Sequence, residues 1–287
     1  MSLVVPLADG RLHLQHGPID CLARAWGAPG EVRAAYAQAA QVFPDILPAL
    51  CRELPLLRRT LPSPAPRGRV ARAMHHAVSP FAAFEITPMA AVAGAVADAV
   101  LAALLVGRRI DRAFVNNGGD IAFHLSSGES LRAGLVSDLS APSLDATVEL
   151  TADHAARGLA TSGRACKGQG GRSFSLGIAD SVTVLADTAA IADAAATVIA
   201  NAVDLPRHMA ISRRPATDID PDSDLGDRAI TWHVGDLDVA EIDMALDAGR
   251  RVADGLCARG LITGAVLFLR GRVAASGTVG ARMLEPA

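Results

Sequence analysis

The chain has 287 residues, of which 51% are hydrophobic, 20% charged and 3% aromatic. That apolar share supports a substantial buried core and excludes a disordered chain. Net charge is −3 and the 27 basic residues are spread along the sequence, so no electrostatic footprint for nucleic acid is present, and two Trp and one Tyr are few for base stacking.

Arg11–His16 alternates apolar and polar residues and predicts a strand closed by Gly17-Pro18. From Gly30 to Arg59 the apolar residues Val32, Tyr36, Ala39, Phe43, Ile46 and Leu50 recur at helical spacing, and Pro44 and Pro48 predict a split in that helix. Leu61–Gly68 is a stiff Pro-rich linker. Pro88–Gly107 predicts a helix with Met89, Val92, Val96, Val100 and Leu104 on one face and Gly107 as its stop. Apolar apart from Asp98, it reads as a buried helix rather than a membrane span, because a charge sits at its middle.

Strands are expected at Ile110–Val115, Ile121–Leu125 and Ser181–Leu185, then an Ala-rich helix Thr188–Val203 capped by Asp187 or Thr188. Ser212–Asp227 reads as a polar break; its acidic run Asp218–Asp224 has no Gly and Glu at calcium-loop positions and reads as a solvated loop. A strand near Ile230–Val234, a helix Asp238–Arg259 with Val239, Ile242, Leu246, Val252 and Leu256 facing the core, and a strand Ile262–Leu269 complete the chain. Irregular alternation of strands and helices with hairpin signals predicts an α+β fold. The chain is read as one domain, 1–287, with an N-terminal region 1–66, a central core 67–205 and a C-terminal strand-helix-strand 206–287. Cys21, Cys51, Cys166 and Cys257 form no Cys-x-x-Cys pair and read as reduced thiols. With no basic, apolar leader at the N-terminus, the expectation is a cytoplasmic protein without membrane contact.

Three constellations could carry chemistry. Asn117-Gly118-Gly119-Asp120 ends a strand, where paired glycines let backbone N–H groups approach an anion; taken alone it is a hairpin turn. Ala160-Thr161-Ser162-Gly163 is followed by Arg164–Ser173, a glycine-rich stretch with three cations that suits a pyrophosphate and matches neither a Walker motif nor the dinucleotide fingerprint. Lys167 in it is the only lysine in the chain: either a remnant of Lys-to-Arg drift, or a compact ammonium that guanidinium cannot replace. Asp193, Thr197 and Asn201 form a polar stripe on the Ala-rich helix, able to offer hard oxygens to Mg²⁺ or simply to face solvent. His75-His76 stands near Arg67, Arg69 and Arg72, as a phosphate contact or a basic surface.

In this order the pieces resemble the ApbE-like superfamily, whose best-known members are FAD:protein FMN transferases. Asn117-Gly118-Gly119-Asp120 is similar to its strand-end Gly-Gly-Asp, and Ala160–Gly163 to its Ala-Thr-Ser-Gly. Ser181–Val184 with Ala192-Asp193 and Thr197 is similar to its Val-Thr-Val strand and Ala-Asp-x-x-x-Thr helix, so the likeness covers residues 80 to 205. Leu14–Asp20 and Thr87–Gly94 look more like an uncharacterised ApbE-related branch. The resemblance implies a T-fold-like core with antiparallel sheets packed against helices. It also implies FAD bound with Mg²⁺, the metal held by Asp193, Thr197 and the Ala160 carbonyl. Asn117, Gly118, Gly119, Asp120, Thr161, Ser162 and Gly163 would then line the nucleotide.

The sequence departs from the transferases twice. Ser173–Asp180 has no His or Pro where they carry His-x-x-Asp-Pro-x-Thr-Gly, and Ala93-Gly94 precedes Asp98 without their Lys. Three functions follow as expectations. One is FMN transfer or FAD pyrophosphatase-type cleavage, with Lys167 stabilising charge and Asp180 or a distant His replacing the lost base. Another is a non-catalytic flavin carrier or assembly factor serving a client flavoprotein. The last is a small-molecule enzyme that reuses the fold without flavin. The partners expected are a small-molecule nucleotide and an acceptor or client protein, not nucleic acid or membrane, and a homodimer is among the states allowed.

Overall fold

The computed structural model describes residues 2–135, 146–164 and 174–277. In chain order the elements are β1 (Leu3–Pro6), β2 (Leu12–His16), β3 (Ile19–Trp26), α1 (Pro29–Leu57), α2 (Arg69–Val78), α3 (Val92–Leu105), β4 (Arg112–Asn117), β5 (Asp120–Leu125), β6 (Ser130–Leu135), β7 (Ala146–Thr151), β8 (Gly158–Ser162), β9 (Ser181–Ala186), α4 (Ala189–Ala202), β10 (Ile211–Pro215), β11 (Ala229–Val234), α5 (Val239–Ala258), β12 (Gly264–Leu269) and β13 (Arg272–Ser276). The α+β class is as the alternation predicts. The chain forms two compact units, Met1–Arg132 with Glu149–Ala160 and Ala186–Ala194, and Ala133–Val148 with Thr161–Leu185 and Ala195–Ala287.

In the first unit β1 to β5 form an antiparallel meander, and β8 begins against β5 with Leu159 opposite Ile121. Alternation sends Leu12 and Leu14, Cys21, Ala23 and Ala25, Ala113 and Val115, and Ala122 to one face, all buried. α1 and α3 pack on that face. α3 presents Val96, Val100 and Leu104 to the core as its spacing predicts, and stops at Gly107, whose φ of +64° is the left-handed conformation glycine accepts. The stretch Pro88–Leu105 has the length and apolarity to cross a membrane, but just over half of it is buried among its neighbours.

α1 is a correction. Pro44 and Pro48, with Pro55, lie inside one unbroken helix of 29 residues. The prolines lie off the buried stripe Ala35, Ala39, Phe43, Ile46, Leu50 and Leu57, and α1 packs against α3, α2 and strands β2 and β3. Tertiary burial thus outweighs the local cost of each missing N–H, about 3 kcal/mol.

In the second unit β12 pairs with both β9 and β13, antiparallel throughout, and α5 packs on β12 and β13. α5 opens on a capping box of Asp238 and Glu241. Its Ile242, Leu246 and Leu256 are buried as the spacing predicts, whereas Val239 is 60% exposed, because it stands in the first turn before the helix reaches the sheet. The polar stretch 212–227 is not wholly a break: Ile211–Pro215 pairs with β11, and Arg213 fastens it by donating to Thr231 Oγ1 (2.9 Å), to Asp204 (2.5 Å) and to the Leu176 carbonyl. Three polar side chains in five residues hid that strand.

Candidate functional site

In the first unit, Asn117 and Asp120 pair across a two-residue hairpin whose Gly118 and Gly119 have φ of +66° and +108°. The turn expected of Asn-Gly is present, and both glycines have open space where a Cβ would stand. Asn116 Oδ1 accepts from Gly119 N at 2.8 Å and shapes the loop. Asn117, 7% exposed, donates from Nδ2 to the Ala93 carbonyl at 3.1 Å. The next residue along, Gly94, donates its backbone N–H to Asp193 Oδ2 at 3.1 Å. The glycine hairpin and the Asp193 carboxylate therefore meet on the first turn of α3.

Helix ends explain why Asp193 is there. The first N–H groups of a helix have no intrahelical partner, and a carboxylate satisfies them. Asp193, one turn into α4, takes this role for α3; Asp98 of α3 accepts from Ala189 N (3.1 Å) and Ala190 N (2.9 Å) and takes it for α4. Thr188 completes the α4 start by accepting from Ile191 N at 3.2 Å. Two antiparallel helices thus cap one another. Glycines permit the approach: a Cβ on Gly94 would strike the Ala189 carbonyl, and one on Gly158 the Thr188 carbonyl and Ala189 N.

Burial, the largest cause, raises Asp98 to about 6, opposed by its two backbone donors. Burial likewise raises Asp193, to about 7; the backbone of Gly94 and Ala93 opposes this, and the neighbouring Asp98 charge adds to it. Ala160, fully buried at the end of the first unit's share of β8, follows Leu159 as Asp120 precedes its partner Ile121.

The second unit holds Thr161, Ser162, Gly163, Asp180 and Thr197. Thr161 Oγ1 is 2.8 Å from Thr183 Oγ1. Gly163, φ +140°, leaves no room for a Cβ against the Asp180 carbonyl. The Asp180 carboxylate accepts from Arg270 N at 2.5 Å, at a position where Arg270 has φ of +50°. It therefore fastens the turn between β12 and β13. Thr197 is half-buried, one turn beyond Asp193 on α4. Asn201 does not face solvent idly: its Oδ1 accepts from Leu176 N at 2.9 Å. Lys167, with Cys166 and the rest of 165–173, lies outside the described residues.

Among the described residues no group of three or more His, Cys, Asp and Glu side chains forms a metal cluster. His75 Nε2 pairs with the Ser63 carbonyl at 3.0 Å and so ties α2 to the Pro-rich linker. Sequence reasoning gave Gly94 and Asp98 no role. Their signal was a glycine and a carboxylate four residues apart on a helix whose partner helix opens on Thr188.

A family model described as "AbpE bacteria" matches residues 4–275. A UPF0280 protein of Methanothrix thermoacetophila is 40% identical over 134 residues, 47% of this chain and 52% of that protein. One of Methanothermobacter thermautotrophicus is 42% identical over 123 residues, 42% of this chain and 44% of that protein. The chain spans about half the length of the curated relatives it matches. Among solved structures, the flavin transferase ApbE from Vibrio cholerae gives a TM-score of 0.54 at 12% identity, over 97% of this chain and 99% of that one. A mutant of the same enzyme gives 0.54 over 99% of both. At that identity the likeness establishes the fold alone: an α+β arrangement of antiparallel sheets packed against helices, related to the ApbE fold.

Proposed function

Because this chain belongs to the AbpE bacteria family, we propose that it binds a flavin nucleotide, FAD, together with a divalent cation, and holds it as a carrier or assembly factor without transferring FMN. The observation that carries the proposal is the shared first turn of α3, where Ala93 receives Asn117 and Gly94 donates to Asp193. Open backbone at Gly118 and Gly119 suits a phosphate, and the carboxylate beside it suits the cation that a diphosphate brings.

The donor set fits Mg²⁺. Asp193 spends part of its accepting capacity on backbone N–H groups, yet a carboxylate has about four lone-pair sites. Its charged neighbour is a second carboxylate, Asp98, and a divalent cation relieves the electrostatic penalty that such a pair carries. Asp193 would hold the metal with the Ala160 carbonyl, and the ion would neutralise the diphosphate. This chain's own groups would do the rest: Gly118 and Gly119 admit the phosphates, and Asn117 keeps the hairpin on α3.

The competing reading, transfer or hydrolysis at the diphosphate, needs a general base within hydrogen-bond reach. The segment Ser173–Asp180 lacks the transferases' His, and the candidate Asp180 has one oxygen committed to Arg270 N. Incubation with FAD and Mg²⁺, alone and with candidate flavoproteins, tests the choice. Stoichiometric flavin retention without AMP is expected. Release of AMP that depends on Asp193 would replace the carrier reading with the enzymatic one, and failure of FAD, FMN and ADP alike to bind would end both.

A further inference from the structure

We infer that the exposed arginines around the join of α1 and α2 form a docking surface for an acidic protein partner, one that presents a cluster of carboxylates. Between Cys51 and His76 stand six arginines and a single carboxylate, Glu53. The chain as a whole carries −3, so everything outside this stretch is net acidic. Arg52, Arg58, Arg59, Arg67, Arg69 and Arg72 are all exposed, and none enters a side-chain ion pair among the described residues.

The fold gathers them. α2 packs on α1, and Glu53 joins the end of one helix to the start of the other by accepting from Arg67 N (2.5 Å) and Gly68 N (2.6 Å). The Arg67 backbone donor, and with it Gly68 and the charges of Arg67 and Arg72, holds the Glu53 carboxyl below its ordinary range. The one carboxylate is thus taken up by backbone. Arg52 lies beside it on α1, Arg58 and Arg59 follow the last turn of that helix, and Arg69 and Arg72, three residues apart, share a face of α2. His75 Nε2, 3.0 Å from the Ser63 carbonyl, holds the linker to α2 and fixes the arrangement.

Helix electrostatics argue against a merely solvated charge run. Arg58 and Arg59 sit at the carboxyl end of α1, where the dipole favours cations. Arg67, Arg69 and Arg72 sit at the amino end of α2, where it favours anions, and no acid stands in that first turn. Positive charge gathered on a positive helix end costs stability in the free protein, and incoming carboxylates relieve it. Arginine's planar fork also pairs carboxylates bidentately.

Other polyanions fit less well. No aromatic residue lies between Cys51 and His76 to stack on bases, and none of the large exposed apolar side chains lies there to enter a bilayer. The net acidic remainder of the chain also repels an extended polyanion. A compact acidic surface meets the patch alone, since exposed charges are screened beyond about 10 Å.

Fluorescence anisotropy of a fluorescein-labelled Glu-Ala repeat peptide, titrated with the full chain, tests the inference. The wild type should bind at low salt and more weakly as salt rises. Arg59→Glu with Arg69→Glu should weaken binding about tenfold, the loss of two exposed charge pairs toward their upper range. Arg33→Glu with Arg251→Glu makes the same charge change at exposed positions near the other end of α1 and on α5, and should weaken it much less. Arg69→Glu alone should raise the thermal unfolding midpoint while it weakens the peptide, because the helix end gains an anion. A purely structural role would lower both together. Absence of peptide binding by the wild type, equal loss in the two double variants, or tighter binding of duplex DNA or phosphatidylserine vesicles overturns the inference. FAD affinity should be the same in all these variants, so the nucleotide reading stands or falls separately.

Discussion

Asp98 and Asp193 each do two things that pull in opposite directions. Their backbone donors favour the carboxylate, yet burial favours the acid and is the larger cause for both, with the Asp98 charge adding to it at Asp193. An acid whose folded pKa exceeds its unfolded value makes the native state bind more protons between the two values, so stability falls as pH rises through that window. For Asp98 the window runs from the ordinary 3.8 to about 6; the penalty is absent below it and complete above it. Comparing urea unfolding of Asp98→Asn with wild type across this range should show a flatter pH slope in the variant. At the acid end it should also show a loss of about 1 kcal/mol from the weakened cap. Mg²⁺ favours the ionised carboxylate, so adding it should flatten the wild-type slope too, and Asp193→Ala should abolish that response.

Among elements, the start of α4 packs against α3 at Gly94 and against β8 at Gly158, each contact depending on a missing side chain. A Cβ on Gly94 or Gly158 would collide with backbone, which cannot rotate aside as a flexible side chain can. Gly94→Val should cost about 3 kcal/mol in denaturant unfolding, the upper range for overpacking, and should weaken FAD because Asp193 loses its donor. At the other end of the chain Asp238→Ala should cost about 1 kcal/mol through loss of the capping box, with no effect on FAD. Element positions were largely legible, since α3, α4, α5, β9 and β12 follow periodicity and caps that are local properties. Where local rules failed, packing overrode them: α1 runs through its prolines because its stripe is buried, and β10 forms from polar residues because Arg213 finds partners on distant segments.

For the molecule as a whole, a ligand that binds only the native state raises stability by mass action, about 2.7 kcal/mol at a hundred times its Kd. Thermal unfolding should therefore shift upward with FAD and Mg²⁺ together and much less with either alone, if cation and diphosphate share one site. The same measurement with Asp193→Ala should show no joint effect.

The strand-end Asn117–Asp120, the Ala160–Gly163 run and the Asp193 helix could be read from one chain without coordinates, because each is a short pattern whose chemistry is carried by neighbouring residues. That Asp193 reaches Gly94, that Asp98 answers it across the helix pair and that Asp180 serves a hairpin turn could not. Those facts depend on contacts between segments up to 99 positions apart along the chain. Residue periodicity constrains which face a side chain occupies; what waits on the other side of that face is settled only when the chain has folded.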